Sequence, residues 1–274
     1  MRLVKRWGQT NGVPDWLTSI LLGIIEGVTE FLPISSTGHL LLTQQLGWLD
    51  PQSDTFNIAI QSGAVLAVLF NFTDRVKQLT LHWREPTARD YLMKLFTAFF
   101  ITGAGGLAID ALGFELPETV LPVALALLVG GVFFVIVEKR LENRPNLTKV
   151  TWTIAIVIGF GQLLAAVFPG TSRSGVTILI ALLMGLKRVP AIEFTFLLGV
   201  PTLLTAGAYK VLKAIRAESL SEDWGQLALA TAVSAVTAFV SVRWLLRYIQ
   251  DNTFVVFGWY RIVLGLALLA AVAG

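Results

Sequence analysis

The chain has 274 residues, 55% of them hydrophobic and only 14% charged, with a formal net charge of +3. Soluble domains carry about 25% charged residues, so this composition excludes an ordinary soluble globule and predicts a polytopic membrane protein. Cysteine is absent, which excludes disulfides, thiolate catalysis and Cys-based metal sites, and no segment has the pattern of a nucleic-acid module.

Residues 1–15 carry Arg2, Lys5 and Arg6 but no long apolar core, so they read as an N-terminal extension rather than a secretory signal. An apolar run over 17–32 meets Pro33, and a second short run follows at 36–47. Three spans come next, at about 55–73, 91–112 and 118–138. The pattern then recurs: 151–168 meets Pro169-Gly170, 174–186 follows, and spans are expected at 190–213, 224–247 and 254–273. Each span is close to the roughly 20 residues a bilayer requires. The interrupted pairs are too short to cross, and broken helices at membrane depth survive only when buried in protein or lining a polar cavity. Both pairs are therefore expected to be re-entrant helical hairpins.

The two interruptions are related. Pro33 and Pro169 lie 136 positions apart, and at that offset Gly23 meets Gly159, Glu26 meets Gln162, Ser36 meets Ser172 and Gly63 meets Gly199. The expected fold is all-α with an inverted-topology repeat, each half a hairpin plus three helices, the first over about 17–138 and the second over about 151–273. An odd number of spans per half inverts the second copy, and such folds place their site where the broken helices meet. Arg75, Lys77, Arg84 and Arg89 in one loop, Lys139, Arg140, Arg144 and Lys149 in another, and Lys187 with Arg188 assign those loops to the cytoplasm. Arg2, Lys5, Arg6, Lys213 and Arg216 then fall on the outer side, against the rule.

The first interruption reads EGVTEFLPISSTGH. Glu26 and Glu30 are four residues apart and share a helix face. A charge at bilayer depth costs about 2.5–3.5 kcal/mol on insertion scales and normally faces a protein interior or aqueous cavity. One such Glu is compatible with a packed, neutral carboxyl; two, followed at once by Ser35, Ser36, Thr37 and His39, point to chemistry. The second interruption reads PGTSRSGVT, where Arg173 stands between Ser172 and Ser174. Helix capping accounts for the serines but not for the Arg, whose planar fork of donors suits phosphate oxygens. A helix N-terminus there favours an anion as well. An acidic turn with an imidazole and a cationic, anion-receiving turn together suit phosphoryl transfer. Carboxylates would repel a phosphate, so a divalent cation, Mg²⁺ or Ca²⁺, is expected between them.

These two motifs resemble the signatures of the bacterial undecaprenyl-pyrophosphate phosphatases, and the resemblance runs from about residue 16 onward, with EFTFLLGVP (193–201) and Tyr260-Arg261 as further matching segments. It implies hydrolysis of undecaprenyl pyrophosphate to undecaprenyl phosphate and inorganic phosphate. That reaction would recycle the lipid carrier for peptidoglycan synthesis and confer bacitracin resistance, with a divalent cation and an outward-facing site in the cytoplasmic (inner) membrane. Carried over by motif, Ser36 is the expected nucleophile, His39 the general base or acid, and Arg173 the clamp on the pyrophosphate. Glu26 and Glu30 hold the metal or tune His39. Attack by His39 or by a metal-activated water is chemically open. Ser35, Thr37, Gly170 and Thr171 are expected substrate contacts, as are Ser172, Ser174, Thr177 and Arg261. Glu193 supports the site or pairs structurally, His82 is expected to be solvated, and the glycines to be close helix contacts. The expected partners are the lipid substrate and the bilayer; homo-oligomer formation is left open. The rival reading is a polyprenyl-phosphate flippase, since broken helices are also transporter architecture. A flippase has no need of a paired hydroxyl and imidazole, so the SSTGH run favours the enzyme.

Overall fold

A computed structural model describes residues 13–49, 52–114, 119–141, 147–216 and 223–273. The expected N-terminal extension falls largely outside them, as does Arg144. Among the described residues there is no strand, and eleven helices follow one another along the chain.

Helix α1 (Asp15–Thr29) starts behind Pro14, with Asp15 complementing the positive end of the helix. Its continuation is stopped at Pro33, which offers no N–H to a further turn. Helix α2 (Ser36–Gln45) completes the first hairpin. Helix α3 (Asp54–Asn71) is capped by Ser53, whose hydroxyl accepts the Phe56 N–H at 3.0 Å. The chain then bends by 79° into α4 (Thr73–Leu81). Helix α5 (Pro86–Ala111) has proline at its start, where a missing N–H costs nothing, and α6 (Val120–Arg140) ends in Lys139 and Arg140. The second hairpin is α7 (Trp152–Val167), capped by Thr151, and α8 (Arg173–Leu183). Helices α9 (Arg188–Arg216), α10 (Trp224–Asp251) and α11 (Val255–Ala273) complete the chain.

Among the described residues, α5, α6, α9 and α10 are long and apolar enough to cross a membrane, and α3 with α4 makes a fifth if the bent pair is one span. The protein is an all-helical, multi-pass membrane protein. Two expected spans come out differently. The segment at 55–73 breaks at Phe72 into the bent pair, and the described apolar part of α11 is shorter than the other spans. The interrupted segments are short helices on either side of a turn, as their prolines dictate.

Small residues set the helix seams. A side chain at Gly23 of α1 would stand 2.5 Å from the Ala230 carbonyl of α10, and one at Gly159 of α7 would stand 2.9 Å from the Ala98 carbonyl of α5. Gly131 of α6 and Gly258 of α11 meet backbone to backbone. Such close approach is how helices gain packing energy inside lipid, where apolar burial alone drives nothing. The principal seams are α1–α10, α3–α10, α6–α11 and α5–α7. At one end of α6 the buried Glu138 accepts Arg188 Nε at 3.1 Å and the Phe254 N–H at 2.9 Å, tying α6, α9 and α11 together.

Candidate active site

The two interruptions are built alike. Ser35 (φ 73°) and Ser172 (φ 66°) are the two non-glycine residues in the left-handed region among those described, and each immediately precedes a short helix. Each serine hydroxyl accepts the N–H three residues on, Gly38 at 3.3 Å and Gly175 at 3.2 Å. This corrects the alignment read from sequence: the partner of Ser172 is Ser35, not Ser36, and the partner of Ser36 is Arg173. The shift arises because the second turn has one more residue between proline and cap, including Gly170 at φ +86°. A side chain at Gly170 would also strike Val123, so glycine satisfies both the backbone and the packing there.

The turns are stitched together by backbone carbonyls. Ser174, fully buried, donates to the Glu30 and Leu32 carbonyls at 3.3 Å each. Arg261, with no exposed surface, donates to the carbonyls of Pro33 (3.3 Å), Ala126 (3.1 Å), Gly170 (3.3 Å) and Thr171 (3.0 Å). One guanidinium thus holds both turns, and Gly130 leaves the space it occupies. Arg261 was expected at the substrate; in the structure its hydrogen bonds go to backbone carbonyls of the scaffold. The same holds for Ser174 and for Thr177, whose hydroxyl donates to the Arg173 and Ser174 carbonyls of its own helix.

At the junction, Ser36 Oγ donates to Glu30 Oε2 at 2.9 Å. The other oxygen of Glu30 faces Arg173 Nη2 at 3.5 Å. Arg173 lies over the Phe31 ring at 5.7 Å and donates from Nη1 to the Thr195 carbonyl at 3.4 Å. Its Nε and Nη2 find no well-directed acceptor among the described residues, so the guanidinium retains donors for a ligand. Gly199 makes room for it: a side chain there would stand 2.5 Å from Nη1. Glu26 is buried one turn before Glu30, beside its carboxyl group. The amide ends of α2 and α8 add two positive helix termini to the same place.

His39 was expected as general base or acid. Its Nδ1 lies 2.7 Å from the Ser35 carbonyl and its Nε2 2.7 Å from the Tyr260 hydroxyl. Both ring nitrogens are engaged away from Ser36, and the group bonded to Ser36 is Glu30. Thr37 is half-buried in the first turn of α2, Thr171 donates to the Phe168 carbonyl at 2.6 Å, and Ser172 meets Ser174 Oγ at 3.2 Å. Glu193 pairs with Arg75 at 3.0 Å and accepts from Tyr91 at 3.2 Å, a cluster of its own. His82 is largely exposed beside Glu85.

A partly buried serine–carboxylate–guanidinium chain between two broken helices can be compared with known proteins. The family description "Bacitracin resistance protein BacA" matches residues 19–267. The chain belongs to the BacA family. Among curated relatives, a protein named undecaprenyl-diphosphatase from Rhizobium johnstonii is 50% identical over 261 residues, 94% of this chain and 98% of the relative. One of the same name from Rhizobium etli matches to the same extent. A third from Xylella fastidiosa is 48% identical over 257 residues, 93% of this chain and 98% of the relative.

Both interruptions of this BacA-family chain lie inside the matched region. Four residues of the site lie in the quoted segments but were not singled out there as site residues: Phe31 in EGVTEFLPISSTGH, Thr195 and Gly199 in EFTFLLGVP, and Tyr260 beside Arg261. For a metal, no group of three or more His, Asp or Glu residues is found among the described residues. Glu26 and Glu30 with the Ser36 hydroxyl remain as oxygen donors. Two carboxylates fit a Mg²⁺ or Ca²⁺ ion that completes its shell with water and phosphate oxygens, rather than a closed protein cage.

Proposed function

We propose that this protein is an integral-membrane undecaprenyl-diphosphatase, releasing inorganic phosphate from undecaprenyl pyrophosphate and returning undecaprenyl phosphate to peptidoglycan synthesis. Bacitracin resistance is the expected phenotype. The observation that carries the reading is the Ser36–Glu30–Arg173 chain at the meeting of two helix N-termini. Ser36 Oγ attacks the terminal phosphorus while its proton passes to Glu30 Oε2, the acceptor already bonded to it. The phosphoanhydride P–O bond breaks and its electron pair leaves on undecaprenyl phosphate. Water then attacks the phosphoserine, and Glu30 returns a proton to the departing Ser36 oxygen. Arg173 offers its free donors to the equatorial oxygens, where the transition state spreads its charge.

Glu26 and Glu30 would hold a divalent cation, which when bound neutralises pyrophosphate charge. Thr37 and Ser172, at the mouths of the two helices, and the backbone amides beside Ser35, Gly170 and Thr171 are the further headgroup contacts. The site faces the outer side of the cytoplasmic membrane, a reading supported by the basic loops at 74–90 and 139–150. The inverted repeat is supported by exchangeable seams: α1 packs on α10 as α7 packs on α5, each through a glycine.

The test is phosphate release from a C55 prenyl pyrophosphate by purified protein, with and without EDTA. Release that depends on a divalent ion and vanishes in Ser36→Ala is the expected result. No release under any divalent ion would overturn the enzyme; release that persists in Ser36→Ala would overturn the serine.

A further inference from the structure

The duplicated turns differ in how the carbonyl of the left-handed serine is satisfied. The Ser172 carbonyl accepts the backbone N–H of Val176 at 2.9 Å, as the first carbonyl of a helix normally does. The Ser35 carbonyl accepts the ring of His39 at 2.7 Å. His39 stands four residues after Ser35, as Val176 does after Ser172, so a side chain has been recruited in one copy only. That copy is the one presenting Ser36.

A carbonyl oxygen can only accept, so Nδ1 of His39 must carry the proton. In the neutral ring Nε2 is then an acceptor, and Tyr260 Oη donates to it at 2.7 Å. The two rings are stacked, with centroids 5.5 Å apart and planes 11° from parallel. Tyr260 in turn is the residue before Arg261, whose guanidinium is fixed by four carbonyls. A left-handed serine is strained and persists only where its surroundings over-determine it. His39 and Tyr260 are part of those surroundings.

We propose that Tyr260 is a positioning residue for phosphate release: it fixes the Nδ1–H tautomer of His39, which holds the Ser35 carbonyl and so aims Ser36 at Glu30. His39 acts here as a strut, not as the base for Ser36. The kinetic consequences rest on the phosphatase reading; the tautomer does not.

The experiment compares parent and Tyr260→Phe proteins, labelled with ¹⁵N-histidine in a His82→Gln background that leaves His39 as the single histidine. Phosphate release from C55 prenyl pyrophosphate is measured on the same preparations. Loss of one hydrogen bond predicts a fall in kcat of roughly 3- to 10-fold, with KM within about twofold because Tyr260 touches no phosphate. The ¹⁵N spectrum should change from the Nδ1–H tautomer alone to a mixture. An unchanged kcat, or a change confined to KM, overturns the proposal, the latter placing Tyr260 against the lipid. A parent spectrum showing the Nε2–H tautomer overturns it whatever the kinetics. A parent that releases no phosphate overturns the phosphatase instead, while its spectrum still judges the His39–Tyr260 link.

Discussion

The turn at 31–38 and the turn at 168–175 have the same backbone device and opposite chemistry. Each ends in a left-handed serine that caps a short helix, with glycine three residues on. The first helical position is Ser36 in one and Arg173 in the other. The turn is a cradle that delivers one side chain at a helix N-terminus, and the identity of that side chain sets the role. The same cradle thus occurs twice, and the two copies differ in the residue delivered, Ser36 in one and Arg173 in the other.

The strongest way to break that comparison is at the delivered residue. Ser36→Ala should lower phosphate release by about a thousandfold or more, and Glu30→Gln by roughly 10²- to 10⁴-fold. The fold should be unaffected, because Ser36 is bonded to Glu30 alone and not to the scaffold. On the other turn, Arg173→Lys should cost about 10²- to 10³-fold in kcat, since an ammonium cannot fork onto a phosphate. Gly199→Ala should mimic it without touching the charge, because the added methyl would stand 2.5 Å from Nη1. Activity assays on purified protein, beside unfolding curves, separate the two effects. If Gly199→Ala keeps full activity, Arg173 does not act from the position described.

Arg261→Met should act on both turns at once. It strips donors from buried carbonyls of Pro33, Ala126, Gly170 and Thr171, a loss of roughly 2–4 kcal/mol. Thermal unfolding in detergent should fall clearly below the parent, with activity lost in parallel. An Arg261→Met protein as stable as the parent but inactive would return Arg261 to the substrate, where the sequence had put it.

That reversal shows what sequence could and could not reveal. Prolines and apolar run lengths marked the hairpins to within a few residues, because proline removes an N–H wherever it stands and the bilayer fixes helix length. Glu26, Glu30, Ser36 and Arg173 were legible because polar groups are scarce in such a chain and cannot be there idly. Their partners were not. Whether Arg261 or Arg173 meets the phosphate depends on which carbonyls lie within reach, and those around Arg261 come from segments 90 to 228 residues away. The motif resemblance made His39 a general base or acid; in the structure its ring bonds the cap of its own helix and Tyr260. The offset of 136 pairs Ser36 with Ser172, whereas the backbone pairs Ser35 with Ser172, since one extra residue in a turn leaves no trace in hydropathy.

The smallest expected effect sharpens the comparison most finely. Ser35→Gly and Ser172→Gly make the same change in the two cradles. Each relieves a left-handed φ costing about 1–3 kcal/mol and loses a serine cap worth a few tenths over glycine. Each also raises unfolded-chain entropy by roughly 0.5–1 kcal/mol. The balance for Ser172→Gly is therefore a change of about 0–2 kcal/mol toward greater stability, read from unfolding curves. Ser35→Gly starts from the same sum, but its carbonyl is held by the His39 ring rather than by a helical N–H. A backbone freed at residue 35 no longer presents that carbonyl in one direction, so its gain should be the smaller of the two. Equal gains would mean that the imidazole adds nothing to the first cradle; a gain at residue 172 alone would mean that it supplies the constraint the strained serine depends on.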